Sequence, residues 1–177
     1  MSIEVRRIKE WTPAMLAAVC QATEDAIADG IGFNWMAPPL REVLESYWKG
    51  VLVVPERILF GGWLDGTLSA SIQLIKPGQS KETSSFAVSI DAHYVAPWAR
   101  GHGLAKAMLQ AAEREASAQG FSVVRLSVRE TQEAAINLYL ESGYVRWGIL
   151  PYYEYVNGRM IAGHFFYKKL TPLSSVE

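Results

Sequence analysis

Residues 95–106, Val-Ala-Pro-Trp-Ala-Arg-Gly-His-Gly-Leu-Ala-Lys, constrain this chain more than any other stretch. An apolar run ends at Val95, a proline turn follows, and a helical pattern begins at residues with little or no side chain. The first amides of a helix lack intrahelical acceptors and carry the positive end of the helix dipole. Small residues at Gly101, Gly103 and Ala105 let an anion such as a diphosphate come close to those amides. Arg100, His102 and Lys106 add charge at the rim. A P-loop needs Gly-Lys-Ser/Thr, which is absent, and a dinucleotide fingerprint needs a third glycine where Lys106 stands. In isolation the two glycines would serve turn geometry alone. Their place after four predicted strands tips the reading toward phosphate.

Around this loop the pattern is regular. Ile3 to Ile8 alternates as a half-buried strand. Thr12-Pro13 opens a helix reaching about Gly30, and a second runs from Leu40 to about Lys49. Arg57 to Leu64 and Leu68 to Leu74 flank the hairpin dipeptide Asp65-Gly66. Pro77 to Thr83 is a polar loop, and Phe86 to Val95 is a further, central strand. Helix follows from about Gly103 to Gln119, strand from Ser122 to Val128, and helix from Gln132 to Ser142. The last two strands meet at Asn157-Gly158. The order implies an α/β (α+β) fold: one mixed sheet of about seven strands, partly antiparallel, with helices on both faces. A single domain over residues 1–170 with a short tail at 171–177 accommodates it.

Charge and cysteine content narrow the function. Seventeen basic and 18 acidic residues give a net charge of −1, without the basic surplus that a duplex-binding protein carries. The single cysteine, Cys20, excludes an intrachain disulfide framework and reads as a buried small residue. His93, His102 and His164 are too scattered for a metal site, so no metal is expected. The N-terminus has no apolar leader and no run is long enough to span a membrane, so a cytoplasmic protein is expected.

Two motifs carry a family likeness. Arg100-Gly101-His102-Gly103-Leu104-Ala105 resembles the Gln/Arg-x-x-Gly-x-Gly/Ala motif of the GNAT acyltransferase superfamily, with Val95 and Pro97 upstream. Leu138-Tyr139-Leu140-Glu141-Ser142-Gly143-Tyr144 is similar to that family's Leu-Tyr-x-x-x-Gly-Phe, and Gln132 stands where an Asn often begins that helix. The element order matches over about residues 3 to 169. The resemblance implies acetyl-CoA as cosubstrate, its pantetheine amides paired with Tyr94, Val95 and Ala96. Its diphosphate would lie on the loop Arg100, Gly101, His102, Gly103, Leu104, Ala105 and Lys106, with Gln132 a further cofactor contact.

The chemistry implied is direct transfer to an amine. A primary amine with a pKa of about 10 must lose a proton, and the departing thiol, with a pKa of about 8.5, must gain one. Tyr139 occupies the family's acid position, where a phenol mismatches the thiol only modestly; helical spacing with Ala135, Leu138 and Ser142 equally suits a core ring. Relatives that place a carboxylate before the tyrosine helix would have it where Ser127 stands. Asp91 and His93, two apart on one strand and so on one face roughly 7 Å apart, are the alternative base. Glu130 and solvent water are further routes.

Phe33 and Trp35, with Tyr47 and Trp48, cluster where such a fold covers its acceptor, and Tyr152 and Tyr153 stand for the opposite wall. Core packing explains these rings as well. Asp29-Gly30-Ile31-Gly32-Phe33 and Leu150-Pro151 to Leu170 are loosely similar to tabtoxin-resistance acetyltransferases, which favours a small-molecule amine. The competing functions are acetylation of a protein N-terminus or lysine, and a non-catalytic acyl-CoA-binding regulatory domain. The partners expected are a small amine and, given the aromatics and hairpins, a second copy as a homodimer; nucleic acid and membrane are not.

Overall fold

The computed structural model describes residues 1–31 and 33–170; the tail at 171–177 and Gly32 lie outside them. In chain order the elements are β1 (Ile3–Ile8), α1 (Pro13–Ala28), α2 (Arg41–Val53), β2 (Arg57–Leu64), β3 (Thr67–Ile75) and β4 (Ala87–Val95). There follow α3 (Leu104–Ala118), β5 (Val123–Arg129), α4 (Glu133–Glu141), β6 (Val145–Val156) and β7 (Arg159–Lys169). The strands are ordered β1-β2-β3-β4-β5-β7-β6 in one mixed sheet. β4 and β5 run parallel, whereas β1–β2, β2–β3, β5–β7 and β6–β7 are antiparallel.

Local chemistry accounts for the boundaries. The Thr12 hydroxyl accepts the Met15 amide at 3.2 Å and Pro13 opens α1, which satisfies one orphan donor at that end. Asp65 and Gly66, at φ 47° and 82°, form the β2–β3 turn; Asn157 and Gly158, at 50° and 78°, form the β6–β7 turn. Both pairs have the left-handed geometry that matches strand twist. α2 runs past the expected Lys49 to Val53, through Gly50. Leu44, Trp48 and Val51 are buried at helical spacing, and that burial outweighs the cost of about 1 kcal/mol for a glycine inside a helix.

The chain divides into two compact units, one of Met1–Ile75 with Asp91–Ala112, the other of Lys76–Ile90 with the chain from Glu113 onward. The first holds β1 to β3, α1 and α2. A Cβ on Gly62 would meet Leu104 and Met108 of α3 at 3.0 and 3.1 Å, so α3 begins on that face of β2. Leu59, three residues earlier and therefore on the other face, pairs with Gln73, whose amide reaches Tyr47 of α2 at 2.9 Å. Helices thus cover both faces of this unit's strands.

In the second unit, α4 buries Ile136 and Tyr139. The Lys168 ammonium holds both Glu113 carboxylate oxygens, at 2.8 and 2.9 Å. No helix among the described residues is long and apolar enough to cross a membrane.

Candidate active site

The first unit contains the loop after β4. The Ala96 amide bonds Ser69 O at 2.8 Å, and Pro97–Ala99 forms a short 3-10 turn. Gly101 and Gly103 sit at φ 81° and 84°, a region that strains any side-chain-bearing residue. A Cβ at Gly101 would meet nothing within 4 Å, and one at Gly103 only Ile3 Cδ1 at 3.9 Å. The space over these glycines is therefore open, and backbone conformation rather than crowding demands them.

Among the described residues, none of the backbone amides from Gly101 to Lys106 has an acceptor; the next, Ala107, bonds Gly103 O at 3.0 Å. Buried Leu104, Met108 and Leu109 anchor the helix beneath them. Arg100 Nη1 donates to Asp29 Oδ2 at 2.7 Å and Trp98 Nε1 to Asp25 Oδ2 at 3.0 Å. Both bonds tie the loop to the end of α1. Arg100 is therefore a clamp on the loop as well as a charge at its rim. His102 is half-buried and Lys106 exposed.

Upstream, the expectation that Asp91 and His93 share a face fails. Ala92 between them has φ 44°, so the alternation of the strand is broken there. Asp91 is exposed; its Oδ1 accepts the Ala92 amide at 2.9 Å and its Oδ2 faces Arg57 Nη1 at 3.2 Å. His93 Nε2 lies 2.9 Å from Ala105 O. A carbonyl only accepts, so this nitrogen carries the hydrogen. Burial pulls the imidazole down to about 4, partly opposed by the Ala105 bond, which leaves a weak base for an ammonium of pKa about 10.

Tyr94 is buried and its phenol is pushed well above the ordinary range by desolvation. Its hydroxyl is engaged with Thr23 Oγ1 at 3.0 Å, so only its backbone is available to a cofactor. Cys20 is buried, its thiol raised to about 11 by desolvation.

The aromatic residues of this unit do not share one role. Phe33 is 5% exposed, with Tyr94 at 5.0 Å, Trp35 at 6.2 Å, Tyr47 at 6.3 Å and Trp48 at 6.4 Å between ring centroids. It is a core ring. Trp35 and Tyr47, 5.4 Å apart, are half-buried and offer surface.

The second unit contains Gln132, Tyr139, Tyr152 and Tyr153. Gln132 precedes α4, its carbonyl accepting the Ile136 amide at 3.0 Å. Tyr139 is 4% exposed, with ring centroids of Tyr144 at 5.6 Å and Phe166 at 5.9 Å. Desolvation raises its phenol well above the usual range, so the mismatch with a thiol is wider than the modest one expected. In this environment the group is a neutral hydrogen-bond donor.

Tyr152 is 78% exposed, whereas Tyr153 is packed. The Tyr153 hydroxyl lies 2.7 Å from Ser127 Oγ, and its ring is 5.7 Å from that of Phe165. Any Cβ on Gly163 would fall within 2.5 Å of the Tyr153 ring carbons. Sequence reasoning missed this seat, although a glycine inside a strand signals a close approach. Glu130 faces His164 Nε2 at 3.2 Å, and His164 Nδ1 faces Arg146 Nη1 at 3.2 Å. Arginine only donates, so Nδ1 is bare and Nε2–H points at Glu130. Among the described residues no three His, Cys, Asp or Glu side chains form a metal-holding group.

Comparison with known proteins agrees with this fold. The model of the acetyltransferase (GNAT) family matches residues 20–144. An uncharacterized N-acetyltransferase from the hisH-hisA intergenic region of Azospirillum brasilense is 52% identical over 130 residues, 73% of this chain and 77% of that one. An N-acetyltransferase from Staphylococcus aureus Mu50 superposes with a TM-score of 0.82 at 19% identity, covering 97% of this chain and 100% of that one. A phosphinothricin acetyltransferase from Sinorhizobium meliloti in complex with AcCoA gives 0.79 at 17%, covering 99% and 95%. The chain belongs to the acetyltransferase (GNAT) family and is an acyltransferase.

Proposed function

We propose that this acyltransferase moves the acetyl group of acetyl-CoA to the primary amine of a small molecule, within one catalytic domain over residues 1–170. The observation that carries the reading is the run of amides from Gly101 to Lys106, left without acceptors where α3 begins. Diphosphate oxygens are the acceptors such a run suits. The backbone of Tyr94 and Val95 and the carbonyl of Ala96, whose amide is held by Ser69 O, are assigned to the pantetheine amides, with Arg100 and Gln132 as flanking contacts. When bound, acetyl-CoA supplies the activated acyl group.

Tyr139 is assigned as the donor to the departing sulfur. Its raised pKa keeps it protonated, so it stabilises the developing thiolate by hydrogen bonding. Asp91 and His93 do not act as a coupled base: Asp91 is engaged by Arg57 and His93 is a weak proton acceptor. The ammonium proton is assigned to solvent water, with exposed Asp91 as the protein group open to it. The half-buried Trp35 and Tyr47 rings suit a compact acceptor better than an extended peptide. The fold likenesses, all below 20% identity in the structures compared, bear on the fold and leave the acceptor to this local argument.

The test is a thermal shift with CoA on the wild type and on Gly103→Glu, followed by thiol release with a panel of amines and peptides. A raised midpoint in the wild type and none in the variant is expected. Undiminished CoA affinity in Gly103→Glu contradicts the phosphate placement, and turnover of peptides in preference to small amines contradicts the acceptor.

A further inference from the structure

Behind the Trp35–Tyr47 pair runs a string of polar groups, of which only Asp91 enters the steps above. Arg57 Nη1 bonds both Gln73 Oε1 and, at 3.2 Å, Asp91 Oδ2. Gln73 Nε2 lies 2.9 Å from Tyr47 Oη. A guanidinium has only donors, so Gln73 must turn its carbonyl toward Arg57 and its amide N–H toward Tyr47. Tyr47 Oη is consequently an acceptor in that bond, and its own hydrogen points away from Gln73.

No group among the described residues takes that hydrogen. Gln73 has no exposed surface, so its amide is held by its two partners. Rings at 5.4 Å (Trp35), 6.3 Å (Phe33) and 5.0 Å (Trp48) meet the Tyr47 ring edge-to-face and fix where its hydroxyl lies. Desolvation raises the Tyr47 phenol, which keeps the proton in place.

Resting on the acetyltransferase reading, we infer that Tyr47 determines acceptor specificity, its hydroxyl donating to an oxygen carried by the amine substrate, a carboxylate or carbonyl. The donor is oriented before the substrate arrives. An amine with no such oxygen leaves it unpaired in a half-buried site, which is the costly outcome.

The test compares kcat/KM for three matched primary amines: an amino acid, its methyl ester, and the corresponding amine lacking the carboxyl group. Wild-type enzyme should prefer one or both oxygen-bearing members. Selectivity for the acid over the ester identifies a carboxylate contact, and equality a carbonyl contact. Tyr47→Phe should lower kcat/KM for the preferred members by about tenfold or more, mainly through KM, and leave that for the oxygen-free amine undiminished or raised, since no hydroxyl is then left unpaired.

Gln73→Glu is the second variant. Its carboxylate replaces the N–H donor, turns the Tyr47 hydrogen inward and should reproduce the selective loss with the hydroxyl still present; Arg57 balances the new charge. Equal losses on all three amines, or none, would overturn the inference. A wild-type preference for the oxygen-free amine would overturn it alone. Binding of acetyl-CoA with no transfer to any amine would remove the transferase reading and this inference together.

Discussion

His93 Nε2 lies 2.9 Å from the carbonyl oxygen of Ala105, so the strand that ends at Val95 is fastened to the first turn of the helix that follows the glycine loop. The bond requires a hydrogen on Nε2. Burial then makes a second proton costly, and the imidazole is drawn down to about 4.

This has a consequence for stability. An unfolded histidine titrates near 6.5, so between about pH 6.5 and 4 the unfolded chain binds more protons than the folded one. The contribution is therefore complete above pH 6.5 and lost as pH falls through the folded value, by at most about 3 kcal/mol. Glutamine can donate to Ala105 without titrating. Urea melts at pH 7.5 and 5 should show a smaller acid loss for His93→Gln than for the wild type; parallel losses would show that His93 is not the group responsible.

Tyr139→Phe isolates the phenol from the ring. If the hydroxyl hydrogen-bonds the leaving sulfur, kcat should fall by about a hundredfold or more while the dissociation constant for acetyl-CoA changes little. Because desolvation raises the phenol, the wild-type rate should show no alkaline loss from its ionisation near pH 10. An unchanged kcat in the variant removes Tyr139 from the mechanism.

Much of this was legible in the residues, and the exceptions share a cause. Thr12-Pro13, Asp65-Gly66 and Asn157-Gly158 carry local turn and cap chemistry, and each marks a boundary seen in the fold. The turn at Gly101 and Gly103 and the start of α3 just after it are legible for the same reason. Ala92 is not: nothing about an alanine announces φ 44°, where the Asp91 side chain takes its amide. That one residue undid the pairing of Asp91 with His93. Gly50 misled in the opposite way, since Val51 beyond it is buried and carries α2 onward. Gln73 is visibly a polar residue within an apolar strand, yet its partners Arg57 and Tyr47 come from elements that only the folded chain brings together.

Gly163 and Tyr153 give a cycle that tests packing directly. Alanine at 163 places its Cβ about where the Tyr153 ring now lies, so the ring must leave its seat and its bond to Ser127. Gly163→Ala alone should cost about 1–3 kcal/mol, the usual range for overpacking. Tyr153→Ala in the same chain removes the clash, so the double variant should be more stable than the sum of the single effects. Strict additivity in chemical denaturation would mean that the two residues do not meet.

The hydroxyl of Thr23 supports three neighbours at once. It donates to Val19 O at 2.6 Å, and it lies 3.1 Å from Trp48 Nε1 and 3.0 Å from Tyr94 Oη. Its single hydrogen is committed to Val19, and the indole can only donate, so Thr23 Oγ1 accepts from Trp48 and from Tyr94. All of its hydrogen-bonding capacity is filled inside the core. Thr23→Val keeps the shape but leaves the indole N–H and the Tyr94 hydroxyl buried without this acceptor, each at about 1–3 kcal/mol. Thr23→Ser keeps the oxygen and loses only a methyl, so its cost should be near 1 kcal/mol. Thermal melts of the two variants should therefore separate, with valine the less stable by about 2 kcal/mol or more. If serine is as damaging as valine, the methyl rather than the oxygen holds α1 against α2 and β4.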